Sequence, residues 1–325
     1  MDVLPLLSGE YSLESYHSNP ELWTPRALYL SLDKGFGAVN SNTLELCADQ
    51  LEKSGSPHDL ACAASAIIEA TLFDPNRSPD TLDYDTYRID YANHLMQLTV
   101  DGHRQRLEHG ALHYDDQDDW FRAQANLAFG GVYRDMVSGV ILPETRNDAF
   151  TQLTALGRAA VDHTKTGHPE YKKDAVGFAF EIAILLAGLT DDSSTITIPS
   201  TPRAGDGTHN PSLTNDFNYL IFDQSGKLHT SLPIELKSVK SEESWTTATE
   251  RYDPKSVILL HTHMDLGLKF TDLPVLFGER SLNNNAADKF YELRYYLYDK
   301  VERTLREWAE TDSASRQLTH TSKNQ

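Results

Sequence analysis

The spacing of apolar residues predicts a mostly helical first half of the chain. Ser56 and Pro57 are typical of a helix start, and apolar residues recur behind them at intervals of three and four as far as Leu72. The same periodicity returns at four further places, near 42–53, 86–99, 119–138 and 146–163. We therefore expect residues 1–164 to form a mostly α-helical domain.

The pattern changes to a mixture of strands and helices from about residue 165. The segment Tyr171–Leu189 is apolar almost all round towards its end, which predicts a helix buried on more than one side. The predicted strands are 195–198, 216–223, 228–239 and 257–260, with a helix at 241–251 between the last two. Periodic apolar residues from Phe290 to Trp308 predict a closing helix. This order predicts an α/β layer arrangement for residues 165–312, followed by a flexible tail at 313–325.

Length and composition are those of an ordinary globular protein. The 325 residues suggest two domains of roughly 150 residues each, and fractions of 39% hydrophobic and 24% charged residues exclude wholesale disorder. The longest apolar run is interrupted by Glu181 and is shorter than the ~20 residues that a membrane span needs. The first ten residues do not resemble a secretory signal, and Cys47 and Cys62 are too few for a disulfide framework. We therefore expect a cytoplasmic protein that does not enter a membrane.

The net charge of −19 is divided unevenly along the chain. Residues 1–150 carry −14, and residues 151–325 carry −5. A negative field repels polyanions, which counts against non-specific nucleic-acid binding by the first half. Acidic runs at 80–85 and 115–119 are typical of solvated surfaces. A basic protein partner for this acidic half is the alternative interpretation.

The second and third predicted strands bring charged residues together. If Ser225 and Gly226 form a two-residue loop, Asp216 faces Glu235 directly, and Lys237 shares their side of the hairpin. The opposite side is apolar or aromatic apart from one threonine, so we expect that side to be the buried one. Two adjacent carboxylates repel each other unless a cation or a proton lies between them. Lys237 would neutralise the pair only in part, and a divalent cation suits it better.

Carboxylate and loop oxygens are hard ligands of the kind that Mg²⁺ prefers, and Mn²⁺ is the alternative cation. A metal ion there would polarise a phosphate oxygen and lower the pKa of a bound water. Lys237 would lie within reach of that water, to orient it or to accept its proton. Glu181 stands in the middle of an apolar helix, where an unpaired charge is costly, and could be aimed at the same cluster.

The order of these features resembles a known nuclease superfamily. A buried helix with an internal Glu181 is followed by a strand, a Gly-rich loop, Asp216, a hairpin and the tripeptide Glu-Leu-Lys at 235–237. Over about 165–265 this looks like the PD-(D/E)XK, or restriction-endonuclease-like, superfamily. Asn215 stands where the family has proline, and Pro233 inside the second hairpin strand predicts a bulge or a sheet edge.

The resemblance implies a fold, a cofactor and an activity. It implies a mixed sheet flanked by helices, with a metal ion bound by Asp216 and Glu235. In that family the lysine assists the attacking water and the upstream helical glutamate often completes the site, roles that fall here on Lys237 and Glu181. The expected protein is therefore a Mg²⁺-dependent endonuclease that hydrolyses phosphodiester bonds of DNA, with RNA as the other candidate substrate.

Other interpretations stay open. The residues at 235–237 could be an ordinary solvated ion pair, and Glu181 could pair with a buried basic residue. A catalytically inactive nuclease fold that serves protein interaction or regulation is the alternative function, since fold does not settle activity. His261, His263 and Asp265 fall on one face of the last predicted strand, where they form either a metal site or an unremarkable strand end.

Overall fold

The computed structural model describes most of the chain from residue 56 onwards. The described residues are 56–73, 78–108, 114–166, 169–189, 194–200, 216–223, 228–238, 245–246, 250, 252, 257–278 and 284–321. Four predicted features lie wholly or mostly outside these residues, namely the helix at 42–53, the Gly-rich loop before Asp216, the turn at 225–226 and the helix at 241–251.

Contacts divide the chain into two compact units. The first holds the described residues up to Ala149 together with Ser200, and the second holds the other described residues from Phe150 onwards. Sequence reasoning put the division at residue 164, which lies near the end of the helix Pro143–Thr166. That separate roles belong to the parts before and after 164 stays a prediction.

The described part of the first unit is helical. Its helices are α1 Pro57–Leu72, α2 Leu82–Glu108, α3 Tyr114–Ala128 and α4 Gly130–Ser138, and α5 Pro143–Thr166 begins in this unit and ends in the second. The predicted start of α1 is confirmed, because Ser56 Oγ accepts from the Asp59 N–H at 3.2 Å and Asp59 Oδ2 accepts from the Ser56 N–H at 3.0 Å. The apolar side of α1 packs against α2.

The second unit combines a sheet with helices, which confirms the α/β class. Its elements are α6 Pro169–Leu189, β1 Thr195–Pro199, β2 Phe217–Phe222, β3 Leu228–Lys237, β4 Ile258–His261, α7 Leu273–Leu276 and α8 Asn284–Thr321. The sheet order is β1-β2-β3-β4, with antiparallel pairing up to β3 and parallel pairing between β3 and β4. The helix α6 packs on β1, and α8 packs on α6 and β4.

The closing helix is longer than predicted. It runs to Thr321, so the segment expected to be a flexible tail from residue 313 begins inside α8. The segment 312–321 contains neither Gly nor Pro to stop the helix. None of the helices in the described ranges has an apolar stretch long enough to cross a bilayer.

The register of the hairpin is the predicted one over most of its length. Phe217 pairs with Ile234, and the same register continues to the pair of Ile221 with Thr230. The ladder then shifts by one residue, and Phe222 pairs with Leu228. The expectation of an unbroken ladder down to a two-residue loop was therefore wrong at its last pair.

Among the described residues, Pro233 lies on a stretch of β3 that is paired on the β2 side only, which agrees with the expectation of a bulge or a sheet edge. It pairs with Asn218 in the regular part of the ladder, and β3 lies between β2 and β4. The Asp216 N–H donates to the Ile234 carbonyl at 2.9 Å, so the backbone of Pro233 points away from β2 towards β4. Because β4 pairs with β3 only from Ile234 onwards, the missing N–H of the proline removes no ladder bond.

Both faces of the hairpin contain buried residues. Phe217, Tyr219 and Ile234 are buried on the predicted apolar face. On the other face Leu220 is fully buried and Glu235 is only 5% exposed. The expectation that burial is confined to the apolar face was therefore wrong, and one charged residue lies inside the protein.

Candidate functional site

The backbone fixes Asp216 beside the end of β3. Asp216 immediately precedes β2, where its N–H bonds to the Ile234 carbonyl. Its Oδ2 accepts from the Leu236 N–H at 2.7 Å, so the side chain is tied to the neighbouring strand. The carboxyl group lies close enough to Glu235 to raise its pKa, although the Asp216 N–H bonds to Ile234 and the regular ladder begins only at Phe217.

Glu235 receives two donors on one oxygen. Lys237 forms an ion pair with Oε1, and the Tyr252 hydroxyl donates to the same atom at 2.7 Å. Glu235 and Lys237 are two residues apart on β3, so their side chains leave the same face of the sheet. Both described hydrogen bonds of the Glu235 carboxylate thus go to Oε1. No donor among the described residues bonds to Oε2.

Burial and a neighbouring carboxylate both act on Glu235. Burial raises the pKa of Glu235, the nearby Asp216 carboxylate raises it further, and the pKa reaches about 7 although Lys237 and Tyr252 act in the opposite direction. Lys237 and Tyr252 therefore offset only part of the effect that burial and Asp216 have on the pKa of Glu235. A carboxyl pair of this kind favours a proton or an added cation.

Lys237 is held in its charged form. Burial by itself lowers the pKa of Lys237, but the charge of Glu235 and their hydrogen bond outweigh it, and the pKa lies above its ordinary value. In this arrangement Lys237 is a cation that can hold an anion or orient a water. The predicted alternative role, acceptance of a proton from water, needs Lys237 to leave the ion pair first.

Sequence reasoning missed Tyr252. This residue lies on the connection between β3 and β4, is 9% exposed, and has its ring centroid 5.2 Å from the Lys237 Nζ. Burial and the neighbouring Glu235 raise the pKa of its hydroxyl. No periodic pattern in the sequence indicates Tyr252, because this residue lies on the connection between β3 and β4. An aromatic residue in the polar segment between two strands is the signal that was available.

Glu181 lies in α6 and is half-buried. The helix is held against β1, where a Cβ on Gly188 would come within 2.8 Å of the Thr197 side chain. In the parts of the chain that the structure describes, no group of three or more His, Cys, Asp or Glu residues is close enough to hold a metal ion. The structure therefore does not bring Glu181 together with Asp216 and Glu235, and its role as a third ligand stays a prediction.

Asp216 and Glu235 fit a hard divalent cation by their donor chemistry. Mg²⁺ commonly binds one or two protein carboxylates and keeps several waters, so a pair of oxygen ligands is a sufficient protein contribution. Burial is the largest cause of the raised pKa of Glu235, and the neighbouring Asp216 raises it further, so the two carboxyl groups lie close enough to interact. Asp216 and Glu235 would hold such an ion.

The residues after β4 form a turn and not a continued strand. The buried His261 ring accepts at Nδ1 from the N–H groups of His263 and Met264, at 3.1 and 3.0 Å. Asp265 accepts from the His261 N–H at 2.7 Å, whereas His263 is exposed. The expectation that the three residues share one strand face was wrong, because the chain turns at Thr262 and His261 caps that turn.

His261 nevertheless borders the candidate site. In the parallel ladder it lies opposite Lys237, so the two side chains leave the same face of the sheet. Its ring meets Trp245 edge-on at 5.1 Å between centroids. His261 and Trp245 thus form an aromatic border on the side of Lys237 that faces β4.

Comparison of the chain with known protein families, characterised proteins and solved structures found no match.

Proposed function

We propose that the second unit is a metal-dependent nuclease of the restriction-endonuclease-like type, which hydrolyses phosphodiester bonds of DNA, with RNA as the second candidate substrate. The observation that carries this proposal is the pair of carboxylates, Asp216 and Glu235, that share a single ammonium group on Lys237. A site with two neighbouring carboxyl groups and one ammonium group is suited to a divalent metal and a phosphate ester.

The order of the described elements supports the same proposal. The buried helix α6 precedes β1, Asp216 opens β2, and the Glu-Leu-Lys tripeptide closes β3. The resemblance drawn from the sequence rests on this order. The antiparallel run of β1, β2 and β3 with β4 parallel to β3 is a mixed sheet, as the resemblance implies.

Each side chain has a role that follows from its surroundings. Asp216 and Glu235 would hold Mg²⁺ or Mn²⁺, and the bound metal would supply a polarised phosphate oxygen and an acidified water. Glu235 must be ionised for this role, which its pKa of about 7 allows near neutral pH. With Glu235 bound to a metal, Lys237 would leave its ion pair with Glu235 and would hold the attacking water or a phosphate oxygen.

A catalytically inactive module for protein interaction or regulation is the second candidate. The net charge of −19 favours it, because a surface that holds nucleic acid is commonly basic. The closed contact of Lys237 and Tyr252 with Glu235 also favours it, since a self-contained cluster needs no ligand. In this alternative the fold is kept and cleavage is absent.

A cleavage assay tests the proposal. The full chain is incubated with supercoiled plasmid and with single- and double-stranded DNA and RNA oligonucleotides, with Mg²⁺, Mn²⁺ or EDTA. We expect metal-dependent cleavage that Lys237→Ala reduces by about 100-fold or more. The matched control is Lys300→Ala, which removes a lysine of similar exposure that pairs with Asp265. Equal activity of Lys237→Ala and wild type rejects the site, and no cleavage of any substrate favours the inactive module.

A further inference from the structure

Tyr252 contacts two members of the candidate site at once. Its hydroxyl donates to Glu235 Oε1 at 2.7 Å, and its ring lies 5.2 Å from Lys237 Nζ. Resting on the proposed function, we propose that Tyr252 is a positioning residue, which fixes the carboxylate of Glu235 for the metal through its hydroxyl and fixes the ammonium of Lys237 through its ring. It reaches the metal and substrate only through these two neighbours.

The hydroxyl selects one oxygen of Glu235. Lys237 and Tyr252 both donate to Oε1, so the carboxyl group is fixed in rotation and Oε2 is left for another ligand. A buried carboxylate with a single donor on that oxygen would be freer to rotate, and a cation would lose the preformed orientation of its ligand. Removal of the hydroxyl should therefore weaken metal binding more than it changes the fold.

The ring restrains Lys237. An ammonium group within about 6 Å of an aromatic centroid is attracted to the ring face. Lysine side chains carry much rotational freedom, and a ring beside Nζ limits it when Glu235 gives up its contact to a metal. The ring should therefore matter for the turnover step, in which Lys237 acts, and less for metal affinity.

Two variants separate the hydroxyl from the ring. Tyr252→Phe removes only the hydroxyl, and Tyr252→Leu removes both. We expect Tyr252→Phe to raise the Kd for Mn²⁺, measured by calorimetry on the full chain, by about 5- to 20-fold, with most of kcat kept at saturating Mn²⁺. Tyr252→Leu should raise the Kd by a similar factor and lower kcat by about a further 10-fold. KM for the oligonucleotide should change little in Tyr252→Phe.

The matched control is Tyr298→Phe. Tyr298 also donates to a glutamate, Glu302, at 2.6 Å, but on the exposed surface of α8. This variant should bind Mn²⁺ and cleave as the wild type does. If Tyr252→Phe also binds Mn²⁺ with the wild-type Kd, the proposed role of the hydroxyl is wrong, and an unchanged kcat in Tyr252→Leu overturns the role of the ring.

A metal-independent readout separates failure of this inference from failure of the proposed function. In ¹⁵N spectra of the lysine side chains recorded in the Glu235→Gln background, where the ion pair is absent, the Lys237 ammonium should be protected from exchange with Tyr252 in place and with Tyr252→Phe added, and exposed to exchange with Tyr252→Leu added. If wild type neither binds Mn²⁺ nor cleaves, the proposed nuclease is wrong, and with it the role of the hydroxyl towards a metal. The spectra then still decide whether the ring restrains Lys237, since protection in Tyr252→Leu contradicts it.

Discussion

Two lysine–carboxylate pairs of the second unit look alike but differ in their surroundings. Lys237 with Glu235 and Lys300 with Asp265 have side chains that are exposed by 25% and 6%, and by 24% and 16%, respectively. The charge of Asp265 is spread over two separate donors, since Oδ2 accepts from the His261 N–H and Oδ1 accepts from Lys300 at 3.1 Å. Glu235 instead has a second carboxylate beside it and two donors on one oxygen.

The comparison shows what distinguishes a candidate site from a structural ion pair. Asp265 closes a turn and anchors α8, so its charge is used within the fold. The Asp216–Glu235 pair brings two carboxyl groups together in a partly buried place, and a bound cation would relieve the repulsion between them. Burial and the presence of a lysine are common to both pairs, so neither feature alone indicates function.

The largest expected difference between the two pairs is in cleavage. Asp216→Asn removes one of the two carboxylates and should lower the cleavage rate by at least about 100-fold, because the metal loses a charged ligand. Asp265→Asn should leave the rate of the folded protein near that of the wild type. The rates are measured on the same oligonucleotide at saturating Mg²⁺. Comparable losses in both variants would mean that the two pairs do not differ in function.

The next difference is in stability without metal. Lys237→Met leaves two carboxylates with no ammonium group and should lower the free energy of unfolding by about 3 kcal/mol at pH 8. Lys300→Met should cost about 1 kcal/mol, because Asp265 keeps the His261 N–H and is partly hydrated. Urea unfolding in EDTA measures both values. A larger loss in Lys300→Met than in Lys237→Met would reverse the comparison.

A third difference is the dependence of stability on pH. Folding raises the pKa of Glu235 from 4.5 to about 7, so the folded state retains a proton that the unfolded state has lost. This contribution is fully present below pH 4.5 and is lost as the pH rises through 7, by about 3 kcal/mol in all. The wild type minus Glu235→Gln difference in unfolding free energy should therefore fall between pH 4.5 and pH 8. A flat difference would show that Glu235 titrates normally.

The smallest change in the free energy of unfolding is expected for an exposed pair of a basic and an acidic side chain. Arg303 pairs with Asp299 at 2.9 Å on the surface of α8, with both side chains largely exposed. Arg303→Ala should change the free energy of unfolding by less than about 0.5 kcal/mol. Thermal unfolding at low and high salt checks this value. A loss as large as that of Lys300→Met would show that burial does not set the order of these pairs.

The sequence was sufficient for the parts of the site that local periodicity controls. The apolar alternation of β2 and β3 fixes their register, because a slip by one residue would expose Phe217 and Ile234. Counting residues in that register brought Asp216 near Glu235, although the ladder begins only at Phe217 and the Asp216 N–H bonds to Ile234. The apolar run of α6 likewise predicted a buried helix beside the sheet.

The remainder depends on contacts between residues far apart in the chain. Tyr252 reaches Glu235 from a connection that has no periodic pattern, and Leu220 is buried by packing on the second face of the sheet. The turn after His261 depends on the hydrogen bond that the His261 N–H donates to Asp265. The order of residue types along one strand does not predict these contacts, since each contact depends on the position of a second element.

The most direct test of the proposed metal site is the titration of Glu235 itself. In spectra of the full chain with ¹³C-labelled glutamate carboxyl groups, one signal that is absent from Glu235→Gln should titrate near pH 7 without metal. Addition of Mg²⁺ should move this midpoint lower, because a bound cation favours the ionised form. A Glu235 signal that titrates near pH 4.5, or one whose midpoint Mg²⁺ does not move, would contradict the proposed metal site.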